Sequence, residues 1–115
     1  MPLNSAPGWE SEPHTRNGIP PLITIAVQGY LTFKAMVGKR QVSLPAGCNL
    51  GEALARLRGD LGGRFEQEAF TGAGELHGGV AVLLNGVHYR HLPDGLRTVL
   101  KDGDDVAIFP PMAGG

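Results

Sequence analysis

From residue 22 onward, apolar residues alternate with polar or small ones. Over 22–28 this period of two predicts a strand with one buried face. The alternation resumes over 30–33, so we expect the strand to continue past a bulge or bend at Gly29. A turn at 37–38 and a second short strand over 41–44 complete a predicted antiparallel hairpin.

The clearest helix signal begins at Asn49. This residue is a good N-cap, and Glu52 stands at the position that completes a capping box. Leucines then recur at steps of four, three and four and form one apolar stripe, namely Leu50, Leu54, Leu57 and Leu61. The pair Gly62-Gly63 ends the predicted helix. Residues 65–70 suit a short helical turn, and the Gly-rich segment 71–79 suits a loop.

The second half of the chain predicts three more strands. The short apolar run 80–84 suits a central strand buried on both faces. Asn85-Gly86 is a strong two-residue hairpin signal, and 87–92 would supply the return strand. After a tight turn at 102–104, the run 106–109 predicts the last strand.

The predicted element order is β-β-α-β-β-β. One main helix that crosses between hairpins and packs on one face of a mixed sheet gives an α+β fold. The β-grasp, or ubiquitin-like, arrangement fits this order. We assign it to residues 22–115 and expect 1–21, rich in proline and polar residues, to be a disordered leader. A docking peptide anchored by Trp9 is the alternative for that leader.

Composition excludes several classes of function. A chain of 115 residues suits one domain, and its net charge of -1 gives no basic footprint for nucleic acid. No apolar run approaches the ~20 residues of a membrane span, and residues 1–21 do not read as a signal peptide. We therefore expect a cytoplasmic protein that binds neither membrane nor nucleic acid. The single cysteine excludes an internal disulfide and a ferredoxin-type cluster.

Few side chains in this sequence suggest chemistry of their own. Cys48 precedes the predicted helix, where a helix N-terminus would lower the pKa of the thiol; a redox or acyl-acceptor role is conceivable, although a small buried residue is the simpler interpretation. The histidines lack metal-ligand spacing, and His88 and His91 would face opposite sides of a strand, so we expect no metal site. Glu66 and Glu68 would also face opposite ways, so we interpret them as part of a solvated surface and not as a catalytic pair.

The Gly114-Gly115 ending is the remaining candidate. Glycine suits a backbone that must thread a narrow channel. A main-chain carboxylate becomes a good electrophile once it forms a mixed anhydride with AMP, and a persulfide, thiolate or amine can then take the acyl group. Taken alone, two glycines favour a frayed chain end without a role.

The residues before this pair change that interpretation. The segment from Leu100 to the end, with its Phe-Pro-Pro-x-Ala-Gly-Gly motif at 109–115, strongly resembles the C-terminus of the MoaD/ThiS family of ubiquitin-like sulfur carriers. The resemblance extends to the hairpin and connector over 85–100 and to the capped helix, and covers roughly 22–115. The ending resembles the molybdopterin synthase small subunit more than the thiamine carrier.

The resemblance implies a carrier without turnover or bound cofactor. An E1-like adenylating enzyme would consume ATP to adenylate Gly115, and a sulfurtransferase persulfide would convert the adenylate to a thiocarboxylate. The tail would then enter a large molybdopterin synthase subunit, which passes the sulfur to a pterin precursor. Gly114 would keep the thread narrow, and the docking residues would be Phe109, Pro110, Pro111 and Met112.

Other outcomes remain open at this level. The same activated terminus could be joined to target lysines, as in a protein modifier, or could supply sulfur for cysteine, thiamine or tRNA thiolation. A binding module whose tail only docks is a third alternative. The leader and the 71–79 loop depart from the family pattern, and we expect neither to touch the tail. Arg90 and Lys101 could meet an acidic partner.

Overall fold

One five-stranded sheet and three α-helices make up residues 21–111, the part of the chain that the computed structural model describes. In chain order the elements are β1 (Leu22–Gly29), α1 (Phe33–Met36), β2 (Lys39–Pro45), α2 (Leu50–Leu61), α3 (Gly63–Ala69), β3 (Ala81–Leu84), β4 (Val87–His88) and β5 (Asp105–Phe109), with 3-10 turns at Tyr89–His91 and Gly95–Arg97.

The strands lie in the order β2-β1-β5-β3-β4. The first and last strands pair in parallel, and the other three pairs are antiparallel. The sheet is therefore mixed, with β5 at its centre and α2 as the crossover between its two halves. This is the β-grasp arrangement, and it confirms the predicted α+β fold with one main helix.

The core lies between one face of the sheet and the helices. Every second residue of the long strands is buried, as the alternating pattern predicts. From α2 the buried side chains are Leu50, Ala53, Leu54 and Leu57. Burial of a leucine of this kind contributes roughly 1.5–3 kcal/mol. Leu61, the last residue of the predicted stripe, is only partly buried.

Two local signals act as the sequence predicts. The Asn49 side chain accepts the Glu52 N–H at 2.8 Å, and the Glu52 carboxylate accepts the Asn49 N–H at 2.8 Å, which completes the capping box. Asn85 and Gly86 both have positive φ, at 51° and 85°, as a type I′ hairpin turn requires.

The predicted continuation of the first strand over 30–33 is wrong. β1 ends at Gly29, Leu31 turns the chain with a φ of 56°, and Phe33 begins helix α1 with its ring buried. The cause is a close approach of backbone, because a Cβ on Gly29 would lie 2.4 Å from the Phe33 carbonyl oxygen. The glycine thus allows α1 to fold back onto the end of its strand, where we expected a bulge.

The third and fourth strands also differ from expectation. β3 lies next to the sheet's edge strand, and Ala81 and Leu83 on its outer face are only half-buried, so it is not buried on both faces. The return strand is limited to β4. Its continuation is the 3-10 turn over Tyr89–His91, because the His88 side chain accepts the Arg90 N–H and starts that turn. Consequently the rings of His88 and His91 meet edge to face, with centroids 6.0 Å apart, instead of facing opposite sides.

The helical turn predicted over 65–70 is confirmed, with α3 beginning slightly earlier at Gly63. The segment 71–79 forms no helix, and Leu76 within it makes an isolated bridge with Phe70, the residue before the segment. Of the predicted 1–21 leader only Pro21 lies within the described residues, where its carbonyl accepts the Ala46 N–H at 2.8 Å.

Candidate functional site

The chain leaves the centre of the sheet at Phe109. Phe109 pairs with Ala81 as the last residue of β5, and the two prolines after it lack the N–H that a further ladder bond would need. Pro110 is buried and Pro111 is half-buried. We call these two residues, Pro110 and Pro111, the exit segment. It is packed against the domain up to the last described residue.

The Phe109 side chain lies on the open face of the sheet, away from the helices. Its ring stacks on that of Tyr30, with centroids 4.6 Å apart and an interplanar angle of 8°. The Tyr30 N–H donates to the Ile108 carbonyl at 3.0 Å. One residue just after β1 thus holds both the backbone and the last side chain of β5.

Pro111 packs against Gly79, at the end of the Gly-rich loop. A Cβ on Gly79 would lie 3.1 Å from the Cβ of Pro111. The expectation that this loop does not touch the tail concerns residues 112–115, which lie outside the described residues. The loop does reach Pro111, just before them. The reason is the antiparallel pairing of β3 and β5, since the register that matches Ala81 with Phe109 brings Gly79 opposite Pro111 when it is extended by two residues.

The loop is in turn held by Arg90. The Arg90 guanidinium donates to the Gly78 carbonyl at 2.8 Å and lies over the Tyr89 ring, 5.6 Å from its centroid. Arg90 therefore makes an internal hydrogen bond that the sequence did not predict. Lys101 is exposed, and its backbone N–H donates to the Asp104 carboxylate. Contact of either cation with an acidic partner stays a prediction.

The open face of the sheet next to the tail exit is small and apolar at its centre. Strand register places one residue from each strand in a row across this face, in the order Lys39, Gln28, Ala107, Leu83 and His88. A shallow cavity covers this row except for His88 and is also lined by Tyr30 and Phe109. This open face, as we call it below, and the exit segment therefore form one continuous surface.

The three remaining predicted site residues, Met112, Gly114 and Gly115, lie outside the described residues. Of the predicted docking set, the structure places Phe109, Pro110 and Pro111 together at the exit. Docking by these residues stays a prediction. Tyr30 and Gly79 were missed by sequence reasoning, because both act through pairing between strands that are distant along the chain.

Comparison with known proteins decides the relationship that the tail motif suggested. The family model described as "ThiS family" matches residues 32–115, which is most of the chain and includes its last residue. The chain belongs to the ThiS family. This confirms the resemblance, and it places the protein among ubiquitin-like sulfur carriers and modifiers.

Relatives of this ThiS-family chain carry both descriptions. It is 36% identical over 91 residues to small archaeal modifier protein 3 of Haloferax volcanii, covering 75% of this chain and 92% of that protein. It is 30% identical over 86 residues to a putative sulfur carrier protein of Archaeoglobus fulgidus, covering 65% and 97%. The crystal structure of SAMP1 from Haloferax volcanii superposes with a TM-score of 0.68 at 26% identity, covering 80% and 99%.

Cys48 of this ThiS-family protein is not an activated thiol. Burial, and after it the charge of Glu52, raises the pKa of the Cys48 thiol. The expected lowering by the helix N-terminus is wrong, because partial burial and a carboxylate in the first turn of α2 both favour the neutral thiol. The structure thus favours the interpretation of Cys48 as a packing residue.

Between residues 21 and 111, no three His, Cys, Asp or Glu side chains come together in a way that could hold a metal ion. Over the same range, no helix combines the length and the apolar character needed to cross a bilayer.

Proposed function

We propose that this protein carries sulfur as a thiocarboxylate on Gly115. An E1-like enzyme would transfer AMP from ATP to the Gly115 carboxylate and release pyrophosphate. The terminal sulfur of a sulfurtransferase persulfide would attack the acyl carbon and expel AMP. A thiol would then cleave the resulting acyl disulfide and leave the thiocarboxylate. ATP belongs to the partner, and this chain is the cosubstrate.

One observation carries this proposal: the ThiS-family match continues through Gly115, beyond an exit segment that is packed in place. The stacking of Phe109, the burial of Pro110 and the contact of Pro111 with Gly79 fix the last described residues at a defined point. A carrier that reacts in another protein's active site needs such a start, since a loosely attached tail loses more conformational entropy on binding.

The exit segment and the open face would dock the partners. Phe109, Pro110 and Pro111 precede the tail, and the row centred on Ala107 extends the same surface. Met112 would add to this contact, and Gly114 would give the thread its narrowness. Interfaces of this kind combine an apolar centre with a polar rim, and here Lys39 stands at one end of the row and His88 at the other.

The sulfur acceptor that the tail motif favours is a pterin precursor bound to the large subunit of molybdopterin synthase. Support comes from the Phe-Pro-Pro-x-Ala-Gly-Gly ending at 109–115. Delivery to cysteine, thiamine or tRNA thiolation would use the same thiocarboxylate. Incubation of the loaded protein with each acceptor system separates them, because only the true acceptor returns Gly115 to a carboxylate.

Intact-mass analysis tests the central step. The protein is expressed together with its adenylating partner and a persulfide donor, and we expect a mass gain equal to replacement of one oxygen by one sulfur atom. Deletion of Gly115 should abolish the gain. If the wild-type chain forms neither adenylate nor thiocarboxylate with any such partner, the proposal is wrong.

A short C-terminal extension provides a second arm of the test. Extra residues after Gly115 leave the open face intact but remove the terminal carboxylate. We expect the extended protein to bind the adenylating enzyme and to form no adenylate. A binding module whose tail merely docks would instead keep its function with the extension in place.

A protein modifier is the second candidate, favoured by the relationship to small archaeal modifier protein 3. An amine of a target lysine would take the acyl group in place of sulfur. Because Lys101 is the last basic residue of the chain, trypsin would leave residues 102–115 attached to the target lysine. Mass spectrometry of cell extracts should seek that remnant. Conjugation would be established if target lysines carry the remnant in cells that express the wild-type protein and lack it in cells that express the Gly115-deleted protein.

A further inference from the structure

The end of the Gly-rich loop forms a support beneath the exit segment. We call residues His77, Gly78 and Gly79 the glycine support. It comes immediately before Val80 and β3, whose pairing with β5 places Gly79 opposite Pro111. The geometry of the sheet therefore brings the support against the exit segment, although Gly79 and Pro111 are distant along the chain.

Hydrogen bonds hold the glycine support from both sides. The Gly79 N–H donates to His77 Nδ1 at 3.0 Å, and the Val80 N–H donates to the His77 carbonyl at 3.0 Å. From the other side, the Arg90 guanidinium donates to the Gly78 carbonyl at 2.8 Å. Such bonds limit how far the backbone at Gly79 can move away from a group that presses on it.

Gly79 is a glycine because of space and not because of backbone conformation. Its φ lies outside the left-handed region, so an alanine there costs no backbone strain. An added Cβ would lie 3.1 Å from the Pro111 Cβ and 3.4 Å from His77 Nδ1. Because His77 is hydrogen-bonded to this backbone, Pro111 is the group that must give way, by a few tenths of an ångström.

We propose that Gly79 is a positioning residue that sets the path of the tail at Pro111 and thereby aims Gly115 at the partner's nucleotide. This inference rests on the proposed function. Four residues separate Pro111 from the terminal carboxylate, and they reach at most about 14 Å. The carboxylate must lie within that reach of Pro111, so a displaced or redirected Pro111 shifts the space in which Gly115 can react.

The proposed role predicts a split between rate and affinity. The methyl group does not reach the open face, and a shift of a few tenths of an ångström leaves the docking contact of Pro111 nearly intact, so the Kd for the adenylating enzyme should be nearly unchanged. Misplacement of a reacting group by about 1 Å can cost on the order of 100-fold in rate. A shift of a few tenths of an ångström then predicts a kcat for adenylation that is about three- to tenfold lower.

Gly72→Ala supplies a matched control. Gly72 is exposed in the same loop, a Cβ there meets no atom within 4 Å, and its φ also lies outside the left-handed region. The assay measures ATP–pyrophosphate exchange, Kd and thermal unfolding for Gly79→Ala and Gly72→Ala. We expect a reduced kcat with nearly unchanged Kd for the first variant and wild-type values for the second. Equal kcat values in the two variants would overturn the inference.

A double-mutant cycle tests whether the effect passes through Pro111. In a Pro111→Gly background the opposing Cβ is absent, so Gly79→Ala should cause no additional loss of kcat. An undiminished loss in that background would show that residue 79 acts elsewhere and would overturn the proposal. Contacting residues give non-additive losses of this kind, whereas the losses of independent residues add.

Arg90 keeps the inference testable if Gly79→Ala does not fold. Arg90→Ala adds no atoms and releases the Gly78 carbonyl, and Arg90 is an exposed side chain. Its kcat at saturating adenylating enzyme should fall, whatever the loss of the predicted partner contact of Arg90 does to Kd, and Arg90→Lys, which keeps one donor, should recover part of the loss. An unaltered kcat in Arg90→Ala would overturn the inference.

Failure of the inference and failure of the proposed function give different results. If the wild-type chain is never adenylated, the proposed function fails and the inference fails with it. If the wild-type chain is adenylated and the Gly79 and Arg90 variants match it, only the inference fails.

Discussion

The aromatic rings of Tyr30 and Phe109 stack in parallel, with centroids 4.6 Å apart. Tyr30 directly follows β1, and Phe109 is the last residue of β5, so this contact joins the ends of the two central parallel strands. It is also the last aromatic contact before the chain enters the exit segment. The pair therefore connects the stability of the sheet to the direction in which the tail leaves it.

Replacement of Tyr30 by alanine should weaken both properties. Stacked aromatic pairs contribute about 0.5–1.5 kcal/mol beyond the area that they bury, so we expect a loss of about 1 kcal/mol in the free energy of unfolding. Adenylation of Gly115 should slow as well, because Phe109 loses its partner. Urea denaturation and ATP–pyrophosphate exchange measure the two effects.

Tyr30→Phe is the control, since it keeps the ring. It should match the wild type in both measurements to within a few tenths of a kcal/mol in stability. If Tyr30→Ala lost stability without any change in adenylation, the stack would serve the fold alone.

The Asn49 cap should affect stability without affecting sulfur loading. Asn49→Ala removes the acceptor for the Glu52 N–H and should lower the free energy of unfolding by about 1 kcal/mol. Asn49→Asp, which keeps a capping oxygen, should cost much less. Chemical denaturation measures the stability, and thiocarboxylate formation well below the unfolding temperature should be the same in all three proteins.

Ala107 tests the open face as a docking surface. An arginine at this half-buried position would place a charge in the apolar centre of the row and should weaken binding to the adenylating enzyme at least tenfold, or roughly 1.4 kcal/mol. Isothermal titration calorimetry measures the Kd. The change should leave thermal unfolding nearly unaltered, because the side chain can extend toward solvent.

Ala55→Arg matches this variant in chemistry and in added charge. Ala55 is exposed on α2, in the opposite layer of the fold. We expect it to bind the partner as the wild type does. Equal weakening by the two substitutions would indicate a general charge effect and would argue against the open face.

Cys48 gives a prediction about pH. Burial first, and Glu52 second, raises the pKa of the Cys48 thiol, so the native state keeps the proton at a pH where the unfolded chain has lost it. The stability that this provides is complete below the unfolded thiol pKa of ~8.5, and it is lost as the pH rises through the folded pKa. Wild type should therefore lose more stability than Cys48→Ala between neutral pH and this alkaline range.

Denaturation curves of wild type and Cys48→Ala, recorded at neutral pH and in the alkaline range, measure this difference in stability. Alkylation offers an independent readout, since the thiolate is the reactive form and native Cys48 should react more slowly than the unfolded chain. Identical pH dependence of stability in wild type and Cys48→Ala would contradict the prediction.

Local signals in the sequence predicted most of the fold. The Asn49 capping box and the Asn85-Gly86 turn depend on residues close together in the chain, and both form as expected. The β-branched alternation of β1 also marks its buried face correctly. For these elements the short-range preference and the final fold agree, which is why pattern alone was sufficient.

Features that depend on distant pairing were not predicted. Phe33 continued an alternating pattern, yet it lies in a helix because α1 packs against the end of β1. The support of Pro111 by Gly79 appears only once β3 and β5 are known to pair and in which register. Nothing in the local sequence of the 71–79 loop indicates that the loop ends beside Pro111.

The central place of β5 has a consequence for synthesis on the ribosome. The last strand to be made fills the gap between β1 and β3, so a nascent chain that lacks it exposes two unpaired strand edges. Pairing of β1 with β5 also requires closure of a loop that spans about two thirds of the chain, since Ala26 pairs with Asp105, and such long-range closure is a slow step in folding. A polypeptide truncated before β5 therefore has no complete sheet to offer, and the proposed partner enzymes would meet the open face only on chains that have been translated through Phe109.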